Sequence, residues 1–215
     1  MYNIRNKLLF NYFVMTKEEK MNIGIDIDGV LADLERYILD CGTKFNVEEG
    51  IKTKLKLNEY WESQKFGWTD EQEEKFWNRY LEKYVKEFPT RGYASEVIQK
   101  LKDEGNKIYI ITARNESGLP PESYGKMQEM TKKWLVENNI NYDEIIFAKD
   151  NEKLEQCLKN NIDVMIEDSP TNINSISQKI PVIKYDCQYN KDVNGENVIT
   201  AYTWYHIYEI IKSEF

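Results

Sequence analysis

Six short apolar runs punctuate the chain from Met21 onward: Ile23–Ile27, Lys107–Thr112, Glu144–Ala148, Val164–Glu167, Val182–Tyr185 and the weaker Asn197–Ala201. Between them lie helix-like stretches near Ser95–Glu104, Gly125–Asn138, Glu152–Asn160 and Asn172–Lys179. Strand-like runs alternating with helical segments are βα units, which assemble into a parallel sheet with helices on its faces. The punctuation agrees. Gly105-Asn106 ends a helix before a strand, and Ser169-Pro170 opens a helix after one. The pattern predicts an α/β fold.

One interval breaks the rhythm. Residues 34–92 hold no evident core strand but a dense aromatic set that includes Tyr60, Trp61, Phe66, Trp68 and Phe76. Connections in βα units are normally a few residues long, so this is an insertion after the first strand. Thr69-Asp70 followed by Glu73 resembles a capping box, and Phe76, Trp77, Tyr80, Tyr84 and Phe88 recur at spacings of three and four, which predicts a long amphipathic helix. These aromatics either pack the insertion's own core or line a ligand pocket. Ile51–Leu57 alternates like a strand, with an exposed helix edge as the other reading.

Charge and cysteine usage exclude several classes. The 215 residues carry 29 basic and 37 acidic side chains, a net charge of −8, so bulk charge does not draw the chain to polymeric nucleic acid or to an anionic membrane. An anionic substrate must be met by a local device. Cys41, Cys157 and Cys187 are far apart and form no C-x-x-C pair, the usage of a reduced, cytoplasmic chain. The single histidine, His206, falls on an expected C-terminal helix as a surface or partly packed imidazole, which leaves the thiols without a base. No stretch approaches the ~18–20 apolar residues of a membrane span. Residues 1–20 are expected to be a translated leader. Lys17-Glu18-Glu19-Lys20 before Met21 is encoded by a purine run that reads as a ribosome-binding site, and the segment lacks a small-residue cleavage site.

The first run carries the chemistry: Ile23-Gly24-Ile25-Asp26-Ile27-Asp28-Gly29. With a period of two, Asp26 and Asp28 project together at the strand's C-terminal end, which borders the ligand crevice in open α/β sheets. Two carboxylates so placed repel unless a cation or a shared proton compensates. Three later runs also end in polar clusters. Ile110–Arg114 supplies the hydroxyl of Thr112 and free backbone amides, Phe147–Lys153 supplies Lys149 and Lys153, and Val164–Pro170 supplies Glu167 and Asp168. In a parallel sheet all four converge on one rim.

The order Asp-x-Asp-Gly-Val, Ile-Thr-Ala-Arg, Lys, Glu-Asp resembles the haloacid dehalogenase-like phosphohydrolase superfamily, from about Met21 to Ile211. More narrowly, Phe88–Arg114 and Lys153–Ile173 resemble the C-type 5′-nucleotidases, which include 5′(3′)-deoxyribonucleotidases. The resemblance implies a Rossmann-like core of residues 21–33 and 93–215, with a mainly helical cap at 34–92. It implies that Asp26 is the nucleophile forming an aspartyl-phosphate and that Asp28 is the general acid and base, its protonation favoured by neighbouring acids. It further implies Mg²⁺ held by Asp26, the backbone carbonyl of Asp28, and Asp168. Thr112, the amide of Ala113 and a lysine match the groups that hold phosphoryl oxygens. The family's lysine starts the helix leading to the last motif, which favours Lys153 and leaves Lys149 as a solvated charge.

Two departures keep alternatives open. Glu167 stands where many relatives carry Asp, as a supporting acid or a packed side chain. Arg114 follows Ala113 where some nucleotidases place a hydroxyl residue, and it either contacts phosphate or pairs with an acid. Asn172 orients Asp168 or a metal-bound water, or fills an N-terminal helix position. The expected function is a Mg²⁺-dependent phosphomonoesterase acting on a small phosphate ester, a nucleoside monophosphate being favoured by the stackable aromatics. A phosphatase for a sugar or other metabolite phosphate is the alternative. A non-catalytic binding module is disfavoured by the presence of both Asp26 and Asp28, and a receiver-type signalling domain by the insertion. The oligomeric state stays open, a homodimer included.

Overall fold

The computed structural model describes residues 20–116, 119 and 121–215. Apart from residue 20, the expected leader lies outside the described residues. Six strands, β1 (Asn22–Ile25), β2 (Lys107–Thr112), β3 (Glu144–Phe147), β4 (Val164–Glu167), β5 (Val182–Tyr185) and β6 (Val198–Ala201), form one sheet in the order β3-β2-β1-β4-β5-β6. Every pairing is parallel, and Ile25 of β1 faces Ile110 on one side and Ile166 on the other. The strand order reverses at β1, which makes the crevice beyond its C-terminal end the place where an α/β sheet accepts a ligand.

After Asn22, β1 carries only Ile and Gly because both its faces are covered. Ile23 and Ile25 are fully buried in the larger apolar cluster, with Val97, Ile98 and Leu101 of α4 (Ala94–Asp103) and Ile207 and Ile211 of α8 (Trp204–Glu214). Burying each such side chain contributes about 1.5–3 kcal/mol. Gly24 looks the other way, where a β-carbon would stand 2.6 Å from the Met165 sulfur, so the opposite layer closes directly on backbone. That layer includes α6 (Lys153–Lys159) and α7 (Pro170–Ile176), the latter with Pro170 in its first turn as Ser169-Pro170 predicts.

The insertion contributes α1 (Leu34–Glu48), α2 (Glu62–Phe66) and α3 (Asp70–Glu87). Asp33 caps α1 by accepting the amide of Arg36 at 3.1 Å. The capping box of α3 pairs Thr69 with Gln72 rather than with Glu73. Glu73 is diverted to the amide of Ser63 at 3.1 Å, fastening α3 to α2. Residues 51–57 form neither strand nor helix. The run is held by single backbone bonds, Ile51 to Asn46 at 2.8 Å and Lys56 to Lys65 at 3.0 Å, with no sheet edge to extend.

Aromatic packing is the insertion's main internal contact. Phe66 stacks on Trp68 with centroids 4.4 Å apart, and the Trp68 indole donates to Asn46 Oδ1 at 2.6 Å. On the side facing the sheet, Trp134 of α5 (Met127–Glu137) donates its indole N–H to the Phe88 carbonyl at 2.6 Å. The three cysteines are free thiols, two of them buried, and among the described residues no helix is long and apolar enough to cross a membrane.

Candidate active site

The C-terminal ends of β1, β2 and β4 and the N-terminus of α6 open into a cavity of about 360 Å³ whose other wall comes from the insertion. Asp26, directly after β1, is 5% exposed and is fixed by its backbone amide donating to the Ile166 carbonyl at 3.1 Å. Its Oδ1 lies 2.9 Å from Nζ of Lys153, the first residue of α6. The same ammonium lies 2.9 Å from Glu167 Oε2. Glu167 spends its other oxygen on the backbone amides of Asp168 and Ser169, at 3.1 and 3.0 Å. It therefore anchors both Lys153 and the turn that carries Asp168. Lys149, by contrast, is exposed and pairs loosely with Glu152 at 3.6 Å.

The repulsion expected between Asp26 and Asp28 is relieved separately for each. Arg114 takes Asp28 in a fork, with Nε 3.1 and 3.0 Å from the two carboxylate oxygens and Nη2 2.7 Å from Oδ1. Tyr84 of α3 donates its hydroxyl to the same Oδ1 at 2.7 Å. The guanidinium carbon lies 5.4 Å from the Tyr84 ring centroid and 5.3 Å from that of Trp134, while Nη1 is buried with no hydrogen-bond partner. Of the two readings open for Arg114, the structure displays the pairing with an acid. Thr112 is fully buried, and its hydroxyl accepts the amide of Arg114 at 3.3 Å. Ala113 and Asn172 both border the cavity.

These contacts set the protonation states. Burial, helped by the charges of Glu167 and Asp28 and opposed by Lys153, pushes the Asp26 carboxyl up. Burial alone would also raise Asp28, but the charge and hydrogen bonds of Arg114 and the hydroxyl of Tyr84 bring it below the usual carboxylate range. This departs from the expectation that neighbouring acids favour a protonated Asp28, because Arg114 and Tyr84 outweigh burial, the main influence raising it. Burial works against the Lys153 ammonium, yet Asp26 and Glu167 hold its pKa well above the ordinary lysine value.

Asp168 is tied through one oxygen only. Its Oδ2 accepts the Tyr189 hydroxyl and its backbone carbonyl accepts Asn190 Nδ2 at 2.8 Å, while Oδ1 is buried and unpartnered. Burial and then the charges of Glu167 and Asp26 push its carboxyl well up. Asp26, Glu167 and Asp168 each offer an oxygen within 4.8 Å of the others. Crowded buried carboxylates with an idle oxygen are a donor set suited to a hard divalent cation. Since Glu167 is committed to Lys153 and two amides, Asp26 and Asp168 are the acids left to hold it. Gly29 makes the approach of Asp168 feasible: its φ is +90°, and a β-carbon there would stand 2.0 Å from Asp168 Oδ2.

Sequence reasoning missed Tyr189, Asn190, Trp134 and the hydrogen-bonding role of Tyr84. The first two follow β5, and the strand-end rule that singled out β1, β2 and β4 applies to β5 equally. Trp134 sits inside a helix, where nothing local distinguishes an aromatic that packs on the Arg114 guanidinium from any other core one.

Residues 20–214 match the family described as 5′ nucleotidase, deoxy (Pyrimidine), cytosolic type C protein. A Bacillus cereus protein assigned as a nucleotidase is 30% identical over 200 residues, covering 90% of this chain and all of its own. A nucleotidase of Clostridium acetobutylicum is 27% identical over 198 residues, with coverage of 92% and 96%. In fold, the chain is similar to a haloacid dehalogenase-like hydrolase of Streptococcus pneumoniae, with a TM-score of 0.61 at 15% identity and coverage of 91% and 99%. It is similar also to a hydrolase of the same superfamily from Geobacter sulfurreducens, with a TM-score of 0.56 at 14% identity and coverage of 89% and 96%. With that sheet, these acids and the family match along nearly its whole described length, the chain has the fold of the haloacid dehalogenase-like hydrolases and belongs to the cytosolic type C 5′-nucleotidase family, enzymes acting on phosphate monoesters.

Proposed function

We propose that the chain is a Mg²⁺-dependent phosphatase of (deoxy)nucleoside monophosphates that works through an aspartyl-phosphate on Asp26. The observation carrying this reading is the arrangement of Asp26, with one oxygen on the buried Lys153 ammonium and the group directed into a cavity that Asp28 and Asp168 also line. A carboxylate oxygen of Asp26 attacks phosphorus as the ester P–O bond breaks, and Asp28 gives its proton to the departing alkoxide. Water then attacks the same phosphorus, loses a proton to Asp28, and displaces the Asp26 carboxylate, leaving inorganic phosphate.

Asp26 and Asp168 would hold Mg²⁺, which would supply positive charge for the phosphoryl oxygens and offset the acids. Lys153 and the Thr112-Ala113 turn hold the remaining oxygens. Arg114 keeps Asp28 ionised, the state that accepts water's proton. For the first step, phosphate oxygens compete for Arg114, whose Nη1 has no other acceptor, and Asp28, its proton affinity restored, takes the proton carried by a monoanionic ester and passes it to the departing alkoxide. Residues 34–92 act as a cap that excludes water from the crevice. Tyr60, Trp61 and Trp77 on the cavity wall suit a flat base, and the volume falls in the range of small-molecule sites.

The test is phosphate release with Mg²⁺ across nucleoside monophosphates, deoxynucleotides and sugar phosphates, beside Asp26→Asn and a chelator. Loss of about a thousandfold or more in Asp26→Asn and in chelated enzyme is expected. Turnover that survives the substitution removes the nucleophile, and faster turnover of sugar phosphates removes the nucleotide.

A further inference from the structure

Lys65 of α2 reaches the cavity from the insertion's side and is only 2% exposed. Its backbone is fixed at both polar groups, the amide donating to the Trp61 carbonyl at 2.9 Å and the carbonyl accepting from Lys56 at 3.0 Å. The next residue, Phe66, is fully buried, with Gly42 so close that a β-carbon there would meet its ring at 2.3 Å. The root of the side chain is therefore locked. Its ammonium lies 5.2 Å from the centroid of Tyr189, the ring whose hydroxyl donates to Asp168.

The other two cations lining the cavity are already engaged, Arg114 on Asp28 at 2.7 Å and Lys153 on Asp26 at 2.9 Å. Among the described residues no carboxylate comes within 4.0 Å of the Lys65 ammonium and none accepts a hydrogen bond from it. Glu62, three residues earlier, feels its charge without reaching it. An aromatic face offsets part of the loss of water around an ammonium, but its three donors still call for an acceptor. Lys65 thus stands on the insertion's wall of the cavity, its amide on the Trp61 carbonyl and its ammonium over the Tyr189 ring, which packs on Tyr60 with centroids 5.2 Å apart.

We infer that Lys65 is a specificity-determining residue that donates to an oxygen acceptor on the leaving-group half of the phosphate ester. A base carbonyl, a sugar hydroxyl and a second phosphate share this chemistry, and an ester lacking such an oxygen offers no acceptor to the cavity-facing ammonium. The inference rests on the phosphomonoesterase reading but not on the substrate being a nucleotide.

The test compares the full chain with Lys65→Met and Lys65→Arg, in Mg²⁺, on phenyl phosphate, deoxyuridine 5′-monophosphate, deoxyuridine 3′,5′-bisphosphate and ribose 5-phosphate. Inhibition by inorganic phosphate is measured alongside. For at least one oxygen-bearing ester, Lys65→Met is expected to lower kcat/KM about ten- to a hundredfold more than for phenyl phosphate, mainly through KM. Lys65→Arg should recover most of that difference, and phosphate inhibition should move by less than about twofold. Which ester suffers most identifies the source of the oxygen. Equal losses on all four esters with weaker phosphate inhibition would overturn the inference by placing Lys65 on the phosphoryl group, and equal retention would overturn it too. If wild type hydrolyses ribose 5-phosphate and neither nucleotide, the nucleotide reading falls and Lys65 is judged on the sugar phosphate against phenyl phosphate. Thermal unfolding checks the fold, and Lys65→Gln takes the place of the Met variant should that one be unfolded.

Discussion

Tyr84 of the inserted helix donates its hydroxyl to Asp28 Oδ1 at 2.7 Å, so a side chain of the insertion bonds directly to an acid in the loop after the first strand. Tyr84→Phe removes that donor and keeps the ring, which packs on Tyr37 at 4.9 Å between centroids. Stability should change by only about 1 kcal/mol, while kcat falls about three- to tenfold. With one donor fewer, the Asp28 carboxyl rises, so the acid limb of the kcat profile moves to higher pH. Steady-state kinetics across pH, beside urea unfolding, reads both effects.

Lys153→Met leaves two buried acids, Asp26 and Glu167, without their shared cation. Breaking a buried ion pair from one side costs about 3–5 kcal/mol, so the urea midpoint should fall sharply and phosphate release should be lost. Lys149→Met, which removes an exposed charge, should change stability by less than about 0.5 kcal/mol. Equal effects of the two substitutions would refute the assignment of the buried lysine.

Much of this site was legible in the sequence because strand ends are local features. β2, β4 and β5 match their predicted runs residue for residue, and the parallel sheet then carries Asp26, Thr112, Lys153 and Asp168 to one rim. What stayed hidden depends on tertiary contact. Gln72 rather than Glu73 closes the capping box because the N-cap is Thr69 and not Asp70, which puts Gln72 three residues on and leaves Glu73 to bond the Ser63 amide. Tyr84 stood out only by its helical spacing, which places it on the inward face without revealing that its hydroxyl ends on Asp28. Lys65 was not singled out, since a lysine in a short helix reads as solvated until its burial is seen.

Glu62 should give the protein a pH-dependent stability of its own. Burial pushes its carboxyl from 4.5 up to about 7. Between those values the unfolded chain has released the proton and the folded chain keeps it, so stability falls as pH rises through that window and levels off above it. Glu62→Gln removes this slope and should gain about 1–3 kcal/mol over wild type at pH 8, with little difference at pH 4.5. Urea midpoints of both proteins at the two pH values check the sign.

Gly29→Ala tests the approach of Asp168. The backbone there has φ +90°, and the added methyl would stand 2.0 Å from Asp168 Oδ2, so the acid must move. Stability should drop by about 1–3 kcal/mol. The Mg²⁺ concentration giving half-maximal phosphate release should rise about tenfold or more, because a displaced Asp168 presents its idle oxygen elsewhere. An unchanged Mg²⁺ requirement would remove Asp168 from the metal site.

The central position of β1 has a consequence for how the chain reaches this state. The strand is made first, yet both its neighbours, beginning near Lys107 and Val164, emerge from the ribosome only after the whole inserted segment. Until then its isoleucines and open edges have no native partner, and pairing must wait for long-range closures that are slow to form. The nascent chain therefore carries an exposed, aggregation-prone strand through most of its synthesis, and Asp26 gains its lysine only after synthesis has entered the last third of the protein.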